Sequence, residues 1–113
     1  MTKPWWPRVI AGAVLFVAVA GHAQDGEKAV PDSGQQNFLA RCGGCHLEGG
    51  FGTRVLSRRV PADRAMLERR GGLPAGRTRA AVRNGIGSMP QIRAAELDDA
   101  TLSSIAAYLT RAQ

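Results

Sequence analysis

The pentapeptide Cys42-Gly-Gly-Cys45-His46 constrains this chain more than any other feature of its sequence. It holds two thiols and an imidazole in one short stretch, and C-x-x-C-H is the spacing by which haem is attached to a polypeptide. In such an attachment the two thiols add across the two vinyl groups of the porphyrin, which fixes the adjacent imidazole beneath the iron. The motif therefore predicts one covalently bound haem, with Cys42 and Cys45 as its anchors and His46 as a ligand of the iron.

The second ligand of the iron has to come from elsewhere in the chain, and the strongest candidates are Met89 and Met66. Met89 lies in a glycine-rich loop and precedes Pro90, whose ring restricts the local backbone. Met66 lies in a predicted helix beside Leu67, where a methionine more often fills an apolar gap. The sequence favours Met89, and His/Met ligation favours ferrous iron and closes the position that oxygen would need. The chain is thus predicted to transfer electrons, and no catalytic residue is assigned.

The motif has four other possible interpretations. A plain disulfide between Cys42 and Cys45 is possible in an exported protein, but it would not need His46. A thioredoxin-like site belongs to a strand and helix pattern that is missing here. Zinc normally has four ligands, and the motif supplies three. A pentacoordinate haem that binds gas or peroxide is the alternative from another functional class, and it requires that Met89 does not bind.

The N-terminal segment resembles a secretory signal peptide. Residues 1–8 carry basic side chains and no acid, residues 9–20 form an apolar run, and small residues follow. These features predict a signal peptide over residues 1–23, with cleavage after Ala23 or, alternatively, after Ala20. The apolar run is shorter than the roughly 20 residues that a membrane-spanning helix needs. We therefore expect a periplasmic protein with no permanent membrane span.

The rest of the chain is predicted to form a flexible polar segment, residues 24–32, and a helical domain, residues 33–113. The predicted helices begin at Ser33, near Ala62, at Pro74 and at Asp98 or Asp99, with Gly85 as a left-handed cap after the third. The last helix places Leu102, Ile105, Ala106 and Leu109 on one stripe. Glycines predict a loop between residues 43 and 52. No strand-like alternation is visible, so the fold class is all-α.

Three segments together resemble the class I c-type cytochromes. They are Gly34-x-x-x-Phe38-x-x-x-Cys42-x-x-Cys45-His46, the segment Val82-Arg-Asn-Gly-Ile-Gly-Ser-Met89-Pro90, and the terminal helix with Tyr108. The resemblance implies a small cytochrome c fold of three to five helices wrapped around one haem. It also implies that the first and last helices cross, so that Gly34 and Phe38 meet the face formed by Leu102, Ile105, Tyr108 and Leu109.

The sequence departs from that family at two points. The family often has a proline after the motif whose carbonyl accepts the hydrogen bond of the proximal imidazole; here a carbonyl near Gly52 or Thr53 is expected to do so. The family's usual tryptophan near a haem propionate is also missing, and Arg58 and Arg59 are candidates to replace it.

The predicted partners are redox proteins. Similarity to small cytochromes that serve exported dehydrogenases implies a periplasmic dehydrogenase as electron donor and a cytochrome or oxidase of the respiratory chain as acceptor. The arginine-rich stretch between residues 53 and 70 suits an acidic partner or, alternatively, is only a solvated surface. The modest positive charge that is left after signal cleavage requires no nucleic acid.

Overall fold

The computed structural model of the protein describes residues 1–2 and 32–112. The predicted signal peptide and polar segment lie outside this range, except for residues 1, 2 and 32. Within the range the chain forms five α-helices, two 3₁₀ turns and no β-strand, which confirms the all-α prediction. The helices are α1 (Ser33–Arg41), α2 (Gly43–His46), α3 (Phe51–Leu56), α4 (Ala75–Asn84) and α5 (Asp99–Arg111), and the 3₁₀ turns are Ala62–Arg64 and Leu67–Arg69.

Helices α1 and α5 are each capped at their N-terminus by an aspartate. The Asp32 carboxylate accepts the backbone N–H of Gln35 at 2.9 Å, so Asp32 and not the predicted Ser33 is the N-cap of α1. The Asp98 carboxylate accepts the N–H of Thr101 at 2.8 Å, which confirms one of the two predicted starts of α5. Aspartate suits both sites, because its carboxylate pairs an N–H that has no partner in the helix and its charge complements the helix dipole.

Helices α1, α4 and α5 enclose the core. Phe38 of α1 is fully buried and packs with Val82 of α4 and with the buried stripe of α5; the contact with α5 is the one that the family resemblance implied. The rings of Phe38 and Tyr108 have their centroids 5.9 Å apart, so α1 and α5 do cross in contact. Burial of a side chain such as Phe38 stabilises the fold by about 1.5–3 kcal/mol. The crossing holds the motif, which follows α1 directly, against the rest of the domain.

The middle of the chain differs from the prediction at two places. The glycine-rich segment contains the short helices α2 and α3 rather than one loop, and their tight packing is possible because glycine brings no side chain to their contact. The helix predicted near Ala62 is instead a pair of 3₁₀ turns, interrupted at Met66, whose backbone is extended with ψ 128°. Neither these helices nor any other in the described residues is long and apolar enough to cross a membrane.

Candidate functional site

Two consecutive helices position the thiols and the imidazole of the motif. Cys42 ends α1, where its N–H donates to the Phe38 carbonyl at 2.8 Å, and it also begins α2. The N–H of His46 donates to the Cys42 carbonyl at 3.0 Å, which closes one helical turn over the motif. Cys42 is half-buried against the core, whereas Cys45 is exposed. One turn of backbone therefore carries all three side chains; Cys45 and His46 line a cavity described below, whereas Cys42 packs against the core.

The two cysteines are free thiols and are not joined to each other. Burial raises the pKa of the Cys42 thiol, and the neighbouring Cys45 raises it further. Cys42 is consequently protonated at neutral pH, which disfavours a reactive thiolate at this position. Residues 32–112 also contain no group of three or more His, Cys, Asp or Glu side chains arranged to hold a metal ion.

His46 is half-buried, and burial lowers the pKa of its imidazole, with a further contribution from the charge of Arg70. Its Nδ1 atom is buried and has no hydrogen-bond partner. The carbonyl expected near Gly52 or Thr53 thus does not serve as its acceptor. Gly52 instead lies against the ring itself: a Cβ added there would be 2.9 Å from the imidazole Cε1. No hydrogen bond fixes the Nδ1 atom, and the absence of a side chain at Gly52 leaves room for the ring.

Met89 lies at the end of a tight turn that follows α4. Gly85 ends that helix with φ 72° and ψ 164°. This positive-φ conformation is essentially restricted to glycine, but its ψ differs from that of the left-handed helical cap that the sequence predicted. The N–H of Met89 then donates to the Ile86 carbonyl at 2.9 Å, and the N–H of Ile86 donates back to Met89 at 3.1 Å. With Gly87 at φ 56°, this is the pattern of a two-residue hairpin turn. The turn fixes the direction in which the Met89 side chain leaves the backbone.

Arg83 ties the chain after Met89 back to the helices. Its guanidinium donates to the Ile92 carbonyl at 3.0 Å and to the Leu97 carbonyl at 2.8 Å, and it pairs with Asp99 at 2.6 Å. The Ile92 N–H also donates to the Val82 carbonyl at 2.8 Å. The segment that carries Met89 is therefore anchored to α4 and to the start of α5.

Two cavities meet between the motif and the Met89 turn, and together we call them the crevice. The smaller has a volume of about 140 Å³ and mostly apolar walls, formed by Cys45, His46, Phe51, Gly52, Val55, Leu56, Ile86, Ser88, Met89 and Pro90. The larger, of about 270 Å³, is lined by His46, Leu56, Leu67, Arg70, Leu73, Arg77, Thr78, Ile86 and Met89. His46 and Met89 line both cavities. The other candidate, Met66, lines neither.

A family comparison agrees with this geometry. Residues 29–109 match the model of a protein family described as cytochrome c oxidase, cbb3-type, subunit III, and the match includes the motif, the Met89 turn and most of α5. The chain belongs to this family of c-type cytochromes. No curated protein and no solved structure matches it. Membership confirms the resemblance to class I c-type cytochromes, and it implies covalently attached haem c and haem-based electron transfer.

The crevice of this cytochrome fits such a haem. A porphyrin is a broad apolar plate with two carboxylates at one edge, so it needs apolar walls, two donors for the iron and some polar groups. The walls are apolar at Val55, Leu56 and Ile86. Imidazole and thioether, the side chains of His46 and Met89, are established haem ligands. Buried polar atoms without partners, at Arg70 and Thr78, lie on residues that line the larger cavity.

Arg70, Arg77 and Thr78 line the larger cavity, whereas the sequence prediction for the propionate named Arg58 and Arg59. The latter two are exposed and line neither cavity of the cytochrome. No local signal separates Arg70 from the other arginines of the stretch, since only the folded chain places it on one cavity wall with His46 and Thr78. Thr78 carried a weak signal, because it shares a helical face with the buried Val82, four residues further along α4.

Proposed function

We propose that this cytochrome is a single-electron carrier with one haem c, which is attached through Cys42 and Cys45 and ligated by His46 and Met89. The observation that supports the proposal most directly is that His46 and Met89, which come from different parts of the chain, line the same two cavities. The bound haem would supply an iron that takes up one electron from a donor and gives it to an acceptor.

The residues of the crevice have separate roles in this proposal. The imidazole of His46 is in its neutral, donor form because burial lowers its pKa. The thioether of Met89 would supply the second ligand of the iron, a combination with imidazole that favours ferrous iron and leaves no site for oxygen. The apolar side chains of Val55 and Leu56 would exclude water from the bound haem, so that electron transfer would require little solvent rearrangement.

The mouth of the smaller cavity is the proposed contact surface for redox partners. Phe51 and Ile86 are large apolar side chains on its wall, and the parts of them that a bound haem leaves uncovered would face the partner. Exposed Arg54 lies on α3 beside Phe51, and Arg58 and Arg59 follow that helix. An apolar patch beside positive charges suits an acidic partner, whose approach the charges would accelerate more than they would tighten the complex.

The proposed setting is the periplasm, reached through cleavage of the signal peptide after Ala23 or Ala20, with the folded domain beginning at residue 33. A periplasmic dehydrogenase is the proposed donor, and a cytochrome or an oxidase is the proposed acceptor. The family's description names an oxidase, which supports the oxidase as acceptor. The protein itself carries out no substrate chemistry in this proposal.

The test is the visible spectrum of the protein, exported together with a haem-maturation system, in the oxidised and reduced states. We expect a low-spin spectrum with the weak far-red band of sulfur-to-iron charge transfer, and haem that stays with the chain on acid extraction. Met89→Ala should abolish that band, lower the reduction potential and allow carbon monoxide to bind. The matched control is Met66→Leu, a change that conserves volume and should leave the spectrum unchanged.

Each other outcome rejects part of the proposal. A high-spin spectrum of the unaltered protein would indicate a pentacoordinate haem and a gas-binding or peroxidatic protein. Loss of the far-red band in Met66→Leu, with the band retained in Met89→Ala, would show that Met66 and not Met89 is the iron ligand. A chain without haem, with Cys42 and Cys45 oxidised to each other, would favour the disulfide.

A further inference from the structure

Arg70 lies on the wall of the larger cavity with one end of its guanidinium fixed and the other end unpaired. Its Nε donates to the Arg64 carbonyl at 3.2 Å, while the Arg64 guanidinium donates to the Arg70 carbonyl at 3.3 Å. These two bonds join the 3₁₀ turns and set the direction of the Arg70 side chain. The Nη2 atom of Arg70 is buried and has no hydrogen-bond partner.

The surroundings of Arg70 are positive. Burial lowers the pKa of its guanidinium, and the charges of Arg64 and Arg77 lower it further. Among the ion pairs of the described residues none includes Arg70. The acid nearest in sequence, Glu68, accepts a hydrogen bond from the Tyr108 hydroxyl instead. A half-buried guanidinium among like charges is costly unless an anion pairs with it.

Thr78 supplies a second, independent observation. Its residue is only 7% exposed, and its Oγ1 is buried without a hydrogen-bond partner. It comes from α4, whereas Arg70 follows the second 3₁₀ turn, yet both line the same cavity as His46 and Met89. Buried hydroxyls almost always have a partner, so an acceptor is expected at this wall.

We propose that Arg70 and Thr78 form a carboxylate-binding site in the crevice, and that the carboxylate is a propionate of the haem. This inference rests on the proposed function, because the haem brings the carboxylate to the cavity. The planar guanidinium can donate two parallel hydrogen bonds to a carboxylate, and the threonine hydroxyl adds a third donor. Exposed Arg77, on the same wall, adds positive charge to the site.

The site has a consequence for the reduction potential. With Arg70 present, the negative charge of the propionate is compensated close to the iron. Without Arg70, the uncompensated charge favours ferric over ferrous iron, and the potential falls. Arg70 would therefore bind the haem and tune its potential, whereas Thr78 would bind the propionate without changing its charge.

The experiment compares Arg70→Gln, Arg70→Lys and Thr78→Val with the control Arg69→Gln, which removes an exposed charge from the adjacent position. The readouts are the midpoint potential and the propionate bending modes in the resonance Raman spectrum. We expect Arg70→Gln to lower the equilibrium constant for reduction about threefold, which is about 30 mV for one electron. Its propionate modes should also shift. Arg70→Lys keeps the charge and should restore most of the potential, but not the Raman modes, since lysine lacks the planar fork.

Thr78→Val keeps the inference testable if Arg70→Gln yields no mature protein, because it removes only a hydroxyl. It should shift the propionate modes with little change in potential. Potentials and modes equal to those of Arg69→Gln in both variants, with an unaltered low-spin spectrum, would overturn this site and leave the proposed function intact. A potential that depends on added inorganic phosphate, with unshifted propionate modes, would assign the site to a free anion and equally reject the inference. Absence of covalent haem in the unaltered protein would reject the proposed electron-carrier function itself, and with it this inference.

Discussion

Gly34 and Tyr108 touch where α1 crosses α5: a Cβ added to Gly34 would lie 2.8 Å from the Cβ of Tyr108. It would also meet the backbone carbonyl of Ser104, which cannot rotate away. The close approach of these two helices brings Phe38 into the core and places the motif, one turn further along, at the crevice. The contact thus connects the first and last helices of the domain to the site.

Gly34→Ala should destabilise the fold by about 1–3 kcal/mol, because the added methyl group must push two backbones apart. The matched control is Gly76→Ala. Gly76 is likewise the second residue of its helix, α4, but nothing lies within 4 Å of a Cβ built there. Alanine at that position should be neutral or stabilise by up to about 1 kcal/mol. Urea unfolding followed by circular dichroism checks both values, and equal effects of the two changes would contradict the crossing.

Gly52→Ala should displace the His46 ring, since the new Cβ would be 2.9 Å from the imidazole Cε1. We expect a changed visible spectrum of the haem protein and an altered midpoint potential. Gly44→Ala, within the motif, is the control, because a Cβ there has open space around it. If both variants show the spectrum of the unaltered protein, Gly52 does not set the position of the ring.

Arg83→Gln should cost about 2–3 kcal/mol of unfolding free energy, because two backbone carbonyls and a carboxylate lose a charged donor. The side chain of Arg83 is only 25% exposed, but that of its partner Asp99 is 85% exposed. Asp99→Asn should accordingly cost no more than about 1 kcal/mol. Since Arg83 anchors the segment after Met89, the far-red band of Arg83→Gln should also fade at a lower temperature than global unfolding. Equal losses for Arg83→Gln and Asp99→Asn would instead assign the effect to the surface ion pair alone.

Tyr108 should ionise unusually late in an alkaline titration. Burial, together with the hydrogen bond to Glu68 and the charge of that carboxylate, raises the pKa of its phenol to about 12 from the usual 10.0. The tyrosinate absorbance reports this single group, because the chain has one tyrosine. Glu68→Gln should lower the pKa only part of the way, since burial is the larger cause, and exposed Glu48→Gln should not change it.

The same shift predicts a pH dependence of stability. The folded state holds the phenolic proton more tightly than the unfolded state does. Its contribution is therefore fully present below pH 10 and is lost as the pH rises through about 12. The unfolding free energy of the unaltered protein should fall more steeply over that range than that of Tyr108→Phe. Parallel curves for the two proteins would show that the phenol has the same pKa folded and unfolded.

Several features were predictable because their physical causes are local in the sequence. The spacing of the motif puts two thiols and His46 on one turn of any helix. The apolar stripe of α5 has to be buried against some other part of the chain. Asp98 accepts a hydrogen bond from the N–H of Thr101, only three residues away. The Met89 turn also has a local cause. Gly87 and the bridge between Ile86 and Met89 lie within four consecutive residues.

Other features depended on which segments meet in the folded chain. Asp32 and Ser33 are both good capping residues, and only the path of the chain into α1 made Asp32 the cap. Arg58, Arg59 and Arg70 look alike in the sequence, yet of the three only Arg70 lines a cavity together with His46 and Thr78. The short helices α2 and α3 formed among glycines because their backbones pack closely around His46. The sequence alone determined which chemical groups the chain carries. Tertiary packing decided which of several similar side chains is buried, because burial depends on neighbours that are distant along the chain.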